Sequence, residues 1–262
     1  MEKLQIQLKP ALLAVLLAAS AAGCGGGHST GAIPATGSML SRFESTARSA
    51  SGIRPEAAVV KLRTAWRFAV LAGSTVTSTG ATSIAGNVGI YPGTAITGFP
   101  PGVIHGKLHA GDPTAKQAEM DLTTAYNDAM GRHHNPVTVA GNLGGQTLKP
   151  GLYKSTSSLA VSSGDLTLDA GGNRNAVFLF QTASTFTMTT GRKVILTHGA
   201  RARNVYWAVG SSATLGTGCR FHGNLLVYKS ISMATGTVMT GRALARVGAV
   251  TMQGNTIVRP AL

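Results

Sequence analysis

The stretch ATLGTGCRFHGNLLVYKSISMATGTVMTGRALARVGAVTMQGNTIV, residues 213–258, decides the fold. Apolar clusters recur in it about every six positions: Leu225–Leu226, Ile231/Met233, Val238/Met239, Leu244, Val250/Met252 and Ile257–Val258. Between them stand Gly218, Gly223, Gly236, Gly241, Gly248 and Gly254. A helix would need apolar residues at i, i+3, i+4 and i+7, and each interior glycine would cost it about 1 kcal/mol. Short β-branched runs punctuated by glycine instead predict strands of three or four residues joined by tight corners.

Three such strands per coil make a turn of about eighteen residues. Gly218 to Gly236 and Gly223 to Gly241 are both eighteen apart, while Gly164, Gly191 and Gly218 are twenty-seven apart and predict longer coils. Gly164, Gly191, Gly218 and Gly236 each follow a hydroxyl residue: Ser163, Thr190, Thr217 and Thr235. A second repeated step is Gly-Asn or Gly-Arg before an apolar residue, at Gly86, Gly141, Gly223, Gly241 and Gly254. Self-similarity at this period predicts a β-solenoid, in which a coil buries its apolar residues only by stacking on the next. A sandwich of short strands is the alternative, but its turn signals come every 8–12 residues.

The same pattern extends N-terminally through Trp66–Leu71, Val76, Ile84, Val88–Tyr91 and Ile96, and resumes from Val139. It is interrupted once. Asp112-Pro113 opens a helix, with Asp112 as N-cap and Pro113 at the first helical position. Ala115, Ala118, Leu122, Ala125 and Ala129 then follow at helical spacing and Gly131 closes it. One narrow stripe of small residues predicts a helix laid against a side of the solenoid, with Ala118, Leu122, Ala125 and Ala129 inward.

Residues 1–23 read as a lipoprotein signal peptide: Lys3 and Lys9 form a positive start and Ala11–Ala19 an apolar run too short to span a bilayer. Ala21-Ala22-Gly23-Cys24 resembles a lipobox, which makes Cys24 the expected lipidation site; an ordinary signal peptide beside a cysteine is the alternative. Gly25 at the next position suits outer-membrane or cell-surface sorting. Residues 24–57, rich in Gly, Ser, Ala and Thr, read as a flexible tether, leaving 58–262 as the domain.

The 262 residues carry a formal charge of +14 although only 12% are charged, and the imbalance is local. From Ala170 onward there are ten basic residues and no acid. Two cysteines, Cys24 and Cys219, exclude a disulfide framework.

Phe68–Thr77, Ile104–Gly111 with the helix after it, Asn142–Gly145, Pro150–Tyr153, Asn175–Phe178, Asn204–Trp207 and Gly241–Ala245 resemble, in this order, the ice-binding-like proteins of bacteria, fungi and algae. The resemblance covers about Val59 to Val258. It implies a right-handed discontinuous β-helix, triangular in section and mainly β, with one long α-helix packed alongside. It also implies a flat face that carries ice, often through Thr-Gly/Ala-x-Thr/Asn steps, with no cofactor. On that pattern the candidate ice-binding residues are Thr79, Thr82, Thr190, Thr217, Thr235 and Thr237. Their neighbours Arg192, Lys193 and Arg220 are expected to roughen the face. The other reading of the Thr-Gly pairs is that they are only corners.

Other chemistries find less support. β-Helices that cleave polysaccharides need paired carboxylates or calcium held by them. Of nine acids, only Asp165 and Asp169 fall in coils. On an extended strand they stand roughly 13 Å apart, beyond the roughly 5–9.5 Å of glycosidase pairs. His105/His109 and His133-His134 lack acidic or thiol neighbours that would complete a metal set, so no metal is expected, and His133-His134 suit a helix C-terminus. Cys219, a lone thiol, is expected to be buried or to link two molecules. Arg201, Arg203, Arg220, Lys229, Arg242, Arg246 and Arg259 suggest a second, non-enzymatic class: surface adhesion to an anionic polysaccharide. An exported chain with 5% aromatics is not expected to bind nucleic acid.

Overall fold

The computed structural model describes residues 58–260; the signal peptide, the tether and Cys24 lie outside them. Within them every strand pairs parallel to its neighbours, in sheets of twelve, seven and three strands. The register reproduces both coil lengths. Leu152 pairs with Leu179 and Leu179 with Tyr206, steps of twenty-seven; Tyr206 pairs with Asn224 and Asn224 with Arg242, steps of eighteen. The longer coils carry extra loops before Phe178–Thr182 and Val205–Val209.

The twelve-stranded sheet bends over two sides of the solenoid. Arg220–Val227 and Val238–Ala245 each turn the corner, at Gly223 and Gly241, which pair with one another. A Cβ on Gly241 would stand 1.9 Å from the Gly223 carbonyl oxygen, so two coils approach there as only glycine allows. On the second of these sides, the three-stranded sheet continues the surface through the bridge between Lys193 and Arg220.

The order of coils is not the order of the chain. Along the first side the rungs run Val137–Thr138, Gly151–Ser155, Phe178–Thr182, Val205–Val209, the second halves of Arg220–Val227 and Val238–Ala245, then Phe68–Ala72, Asn87–Ile90 and Leu108–Ala110. The last coil thus docks on the first: Leu71 pairs with Leu244, and Ile84 with Ile257. Eight steps of roughly 4.8 Å make a stack roughly 38 Å tall. One element must return the chain from one end to the other. The helix α1, Pro113–Gly131, does so; its 19 residues cover about 28 Å, and extended flanking residues supply the rest.

The α1 start is as expected: the Asp112 carboxylate accepts from the Ala115 amide at 2.8 Å, a bond that holds its pKa below the ordinary value. The end differs. Gly131 is the last helical residue, not a left-handed cap, and the final carbonyls are satisfied from the solenoid. Gln181 Nε2 donates to Ala129 O at 2.7 Å and Arg132 O at 2.7 Å. Ala118, Leu122, Ala125 and Ala129 are buried against Phe68, Leu71, Leu179, Tyr206, Leu226 and Leu244. Inside the coils a second core is built in register. Tyr153, Phe180 and Trp207 stack with ring centroids 5.2 and 4.0 Å apart, and Leu225, Ala243 and Val70 extend the row.

Candidate functional site

Of the three sides, the first is covered by α1 and by the 3-10 turn Arg63–Arg67. The second carries Lys193, Arg220 and His222. The remaining side, the seven-stranded sheet, has no Asp, Glu, Lys or Arg in any strand. Its strands are Leu159–Val161, Phe186–Met188, Ala213–Leu215, Ile231–Met233, Val250–Gln253, Thr75–Thr79 and Ala95–Thr97, stacked in that order.

Alternation sorts each strand. The first and third residues of the central ones, such as Phe186 and Met188 or Val250 and Met252, point inward and are fully buried. The residue between them points out. These outer residues pair in one continuous row: Ala160 with Thr187, Thr187 with Thr214, Thr214 with Ser232, Ser232 with Thr251, Thr251 with Thr77, and Thr77 with Thr97. Seven rungs at roughly 4.8 Å give a row roughly 29 Å long. Small residues flank it. Thr75 pairs with Ala95, Thr185 Oγ1 donates to Ser158 Oγ at 2.9 Å, and Ser212 Oγ accepts from the Ser230 amide at 3.4 Å. Every side chain in the row is Ala, Ser or Thr, held at fixed spacing by the backbone ladder beneath it.

Sequence reasoning missed this row, having followed the Thr-Gly pairs instead. Those pairs line its edge. Gly191 N donates to Thr217 O at 2.8 Å, Gly218 N to Thr235 O at 2.9 Å, and Gly254 N to Thr79 O at 2.8 Å. Thr190, Thr217, Thr235, Gln253 and Thr79 therefore stack as an exposed corner, with Thr235 Oγ1 donating to Gln253 Oε1 at 3.3 Å. Each following glycine has φ between 54° and 75°, so the pair is a turn signal first.

Thr82 and Thr237 do not reach the surface. Both are buried: Thr237 supplies the donor that a backbone carbonyl of the preceding coil needs at a corner, and Thr82 supplies an acceptor inside the stack. Thr237 Oγ1 donates to Gly216 O at 2.9 Å, Asn255 Nδ2 to Ala234 O at 2.8 Å, and Cys219 Sγ to Thr189 O at 3.1 Å. Thr82 Oγ1 accepts from Ser78 Oγ at 2.7 Å and from the Asn255 amide at 3.2 Å. These side chains form an internal polar ladder. Cys219 is one of its steps; burial pushes its thiol pKa up and leaves it no access to a second molecule.

The expected roughening cations also lie elsewhere. Lys193 and Arg220 bridge on the second side, and Arg192 turns toward Asp165, 4.0 Å away. Asp165 accepts from the Lys193 amide at 2.9 Å. Asp169 binds Lys149 at 2.7 Å and His198 at 2.9 Å, contacts that hold its pKa far below the ordinary value. Both carboxylates are structural clamps between coils. His109 engages Asp112 at 2.7 Å and His133 the Gly131 carbonyl at 3.0 Å, which uses them at the two ends of α1. Among the described residues no three His, Cys, Asp or Glu side chains converge on one point.

With this geometry stand the similarities. The sequence model of the ice-binding-like family matches residues 70–258. A protein of Nostoc sp. (strain HG1) called an ice-binding protein is 44% identical over 219 residues, 83% of this chain and 78% of the relative. An ice-binding protein of Flavobacterium frigoris (strain PS1) is 34% identical over 77% of each. The crystal structure of an ice-binding protein from an Antarctic biological consortium superposes with a TM-score of 0.79 at 56% identity, covering 80% of this chain and 95% of that one. That of the Antarctic ascomycete Antarctomyces psychrotrophicus gives 0.75 at 39% identity, over 78% of this chain and 100% of that one.

Proposed function

The chain belongs to the ice-binding-like family, and on that premise we propose that it adsorbs to ice through the seven-stranded sheet, with Thr77, Thr97, Thr187, Thr214, Ser232 and Thr251 as the central contacts. The observation that carries this reading is the in-register row itself. Its methyls and hydroxyls stand on a rigid ladder, so little conformational freedom is lost on adsorption. The strands of this sheet carry none of the Asp, Glu, Lys or Arg side chains that would hold their own hydration shells against a growing crystal. The exposed corner of Thr79, Thr190, Thr217 and Thr235 forms the rim of the same surface.

Replacing a central side chain with a large one holds neighbouring rungs off the crystal. Thr214→Tyr and Thr251→Tyr should each abolish most ice-recrystallisation inhibition. Thr124→Tyr, at an exposed position of α1, should leave it intact, with circular dichroism confirming all three folds. Equal activity in all three would remove the sheet from the mechanism.

The protein is proposed to act outside the cytoplasm, anchored in the cell envelope by a lipid on Cys24. Support is the lipobox-like Ala21-Ala22-Gly23-Cys24 and the Gly/Ser-rich stretch after it. Intact-mass analysis of the membrane fraction should find a diacylglyceryl adduct that Cys24→Ser lacks. A wild-type product without the adduct removes the anchor.

A further inference from the structure

On the helix-covered side, beside the 3-10 turn Arg63–Arg67, lies a cavity of about 630 Å³. This volume is within the usual range for a small-molecule site. Lys61, Arg63, Arg67, Arg203 and Arg242 line it, and no Asp or Glu does. Among the described residues none of these five has a carboxylate within ion-pair distance. The nearby acid, Asp121, is already held by the Thr64 amide at 3.1 Å and hydroxyl, and by Gln117 at 3.3 Å.

Arg242 is the anchor of the group. It is only 4% exposed, and among the described residues its guanidinium has no counterion. Its Nε donates to Trp66 O at 2.9 Å and its Nη1 to Asn224 Oδ1 at 2.7 Å. Asn224 is itself fixed, donating to Arg203 O at 3.0 Å and Val205 O at 3.1 Å. Nη2 has no protein partner among the described residues. Burial, and then Arg259, push the Arg242 pKa down to about 10, so the charge persists at neutral pH at a cost. A buried charge without its partner is unfavourable, and a guanidinium meets oxyanions through two N–H groups at once.

We propose that this cavity binds an oxyanion, a carboxylate, sulfate or phosphate group, carried on a sugar-sized ligand such as a unit of an acidic polysaccharide. Arg242 holds the anion at the base, Arg203 and Arg67 close over it from the rim, and Trp66 and Tyr206 offer apolar wall to the body of the ligand. The site lies on a different side from the Thr row, so ligand and ice can be held together, and the inference stands whether or not the ice reading does.

Calorimetry at low salt tests this with trigalacturonate, sodium sulfate, sodium phosphate, and maltotriose as the uncharged sugar. Trigalacturonate should bind and maltotriose should not. The double variant Arg67→Gln/Arg203→Gln removes rim charge without touching the buried hydrogen bonds and should weaken binding roughly ten-fold or more. Arg242→Lys, which keeps charge but loses the fork, should weaken it too, while Arg220→Gln on another side should not. Binding of sulfate and phosphate but not trigalacturonate would support the oxyanion site and assign it to free ions. Absence of binding by every anion, or affinity unchanged in the double variant, or an equal loss in Arg220→Gln, would overturn the proposal.

Discussion

Thr77 and Thr251, from opposite ends of the domain, occupy the same position on adjacent parallel strands. Their pairing joins two halves of one surface that the chain makes at different times. Thr97 and Thr77 come from the first coils; Thr251, Ser232, Thr214 and Thr187 come from the last four. The row is continuous only because α1 carries the chain to the far end, letting the later coils grow back toward the first.

This placement of the cations makes a prediction opposite to the one their sequence neighbours invite. Arg192, Lys193 and Arg220 follow Thr-Gly pairs but lie past the corner. Replacing all three with Thr should leave ice affinity unchanged, whereas Thr214→Lys, on the row, should reduce it sharply. The measurement is ice affinity of the two variants beside wild type. A gain in the triple variant would mean that these cations do border the contact surface.

The docking of α1 predicts a sharp contrast between two of its residues. Leu122 is fully buried among side chains of the solenoid, and Lys116 is exposed. Leu122→Ala should cost roughly 2–5 kcal/mol, and Lys116→Ala no more than about 0.5 kcal/mol. Urea denaturation of both reads the difference directly. Comparable losses would contradict the packing.

Glu119 predicts a pH dependence. It is buried at the seam between α1 and the coils, and neither carboxylate oxygen has a hydrogen-bond partner among the described residues. Burial pushes its pKa from 4.5 to about 9, against the pull of Arg246. Lys116 and Arg246 line the same small cavity. Between those two values the unfolded chain has lost the proton and the folded chain still holds it. Folded-state stability therefore falls as pH rises through this window, by at most about 1.4 kcal/mol per pH unit from this group. Glu119→Gln removes the titration. The variant should gain on wild type as pH is raised from about 5 to about 8, in urea midpoints measured side by side. A gap that stays constant with pH would mean that Glu119 is ionised in the folded protein.

The solenoid, both coil lengths and the start of α1 are legible in the sequence. These are local properties: glycine spacing sets the corners, apolar period sets the strands, and Asp112-Pro113 can be recognised without knowing what packs nearby. The alternation within each strand also held the central row. Thr187 between Phe186 and Met188, Thr214 between Ala213 and Leu215, and Thr251 between Val250 and Met252 are legible as outward residues between inward ones. The Thr-Gly pairs are the more regular signal in the sequence, and that regularity comes from the left-handed glycine each corner requires.

Which hydroxyls reach solvent, and which charges share a surface with them, depends on how the coils stack. Thr235 and Thr237 are two residues apart; the first stands on the rim, while the second turns inward to satisfy the Gly216 carbonyl. Lys193 follows closely on Thr190, yet a corner places it on another side. A solenoid turns sharply every few residues, so neighbours in sequence part company, and neighbours in space come from the next coil. Between Thr77 and Thr251 they come from the other end of the domain, a pairing set by how many coils α1 spans, which no local pattern encodes.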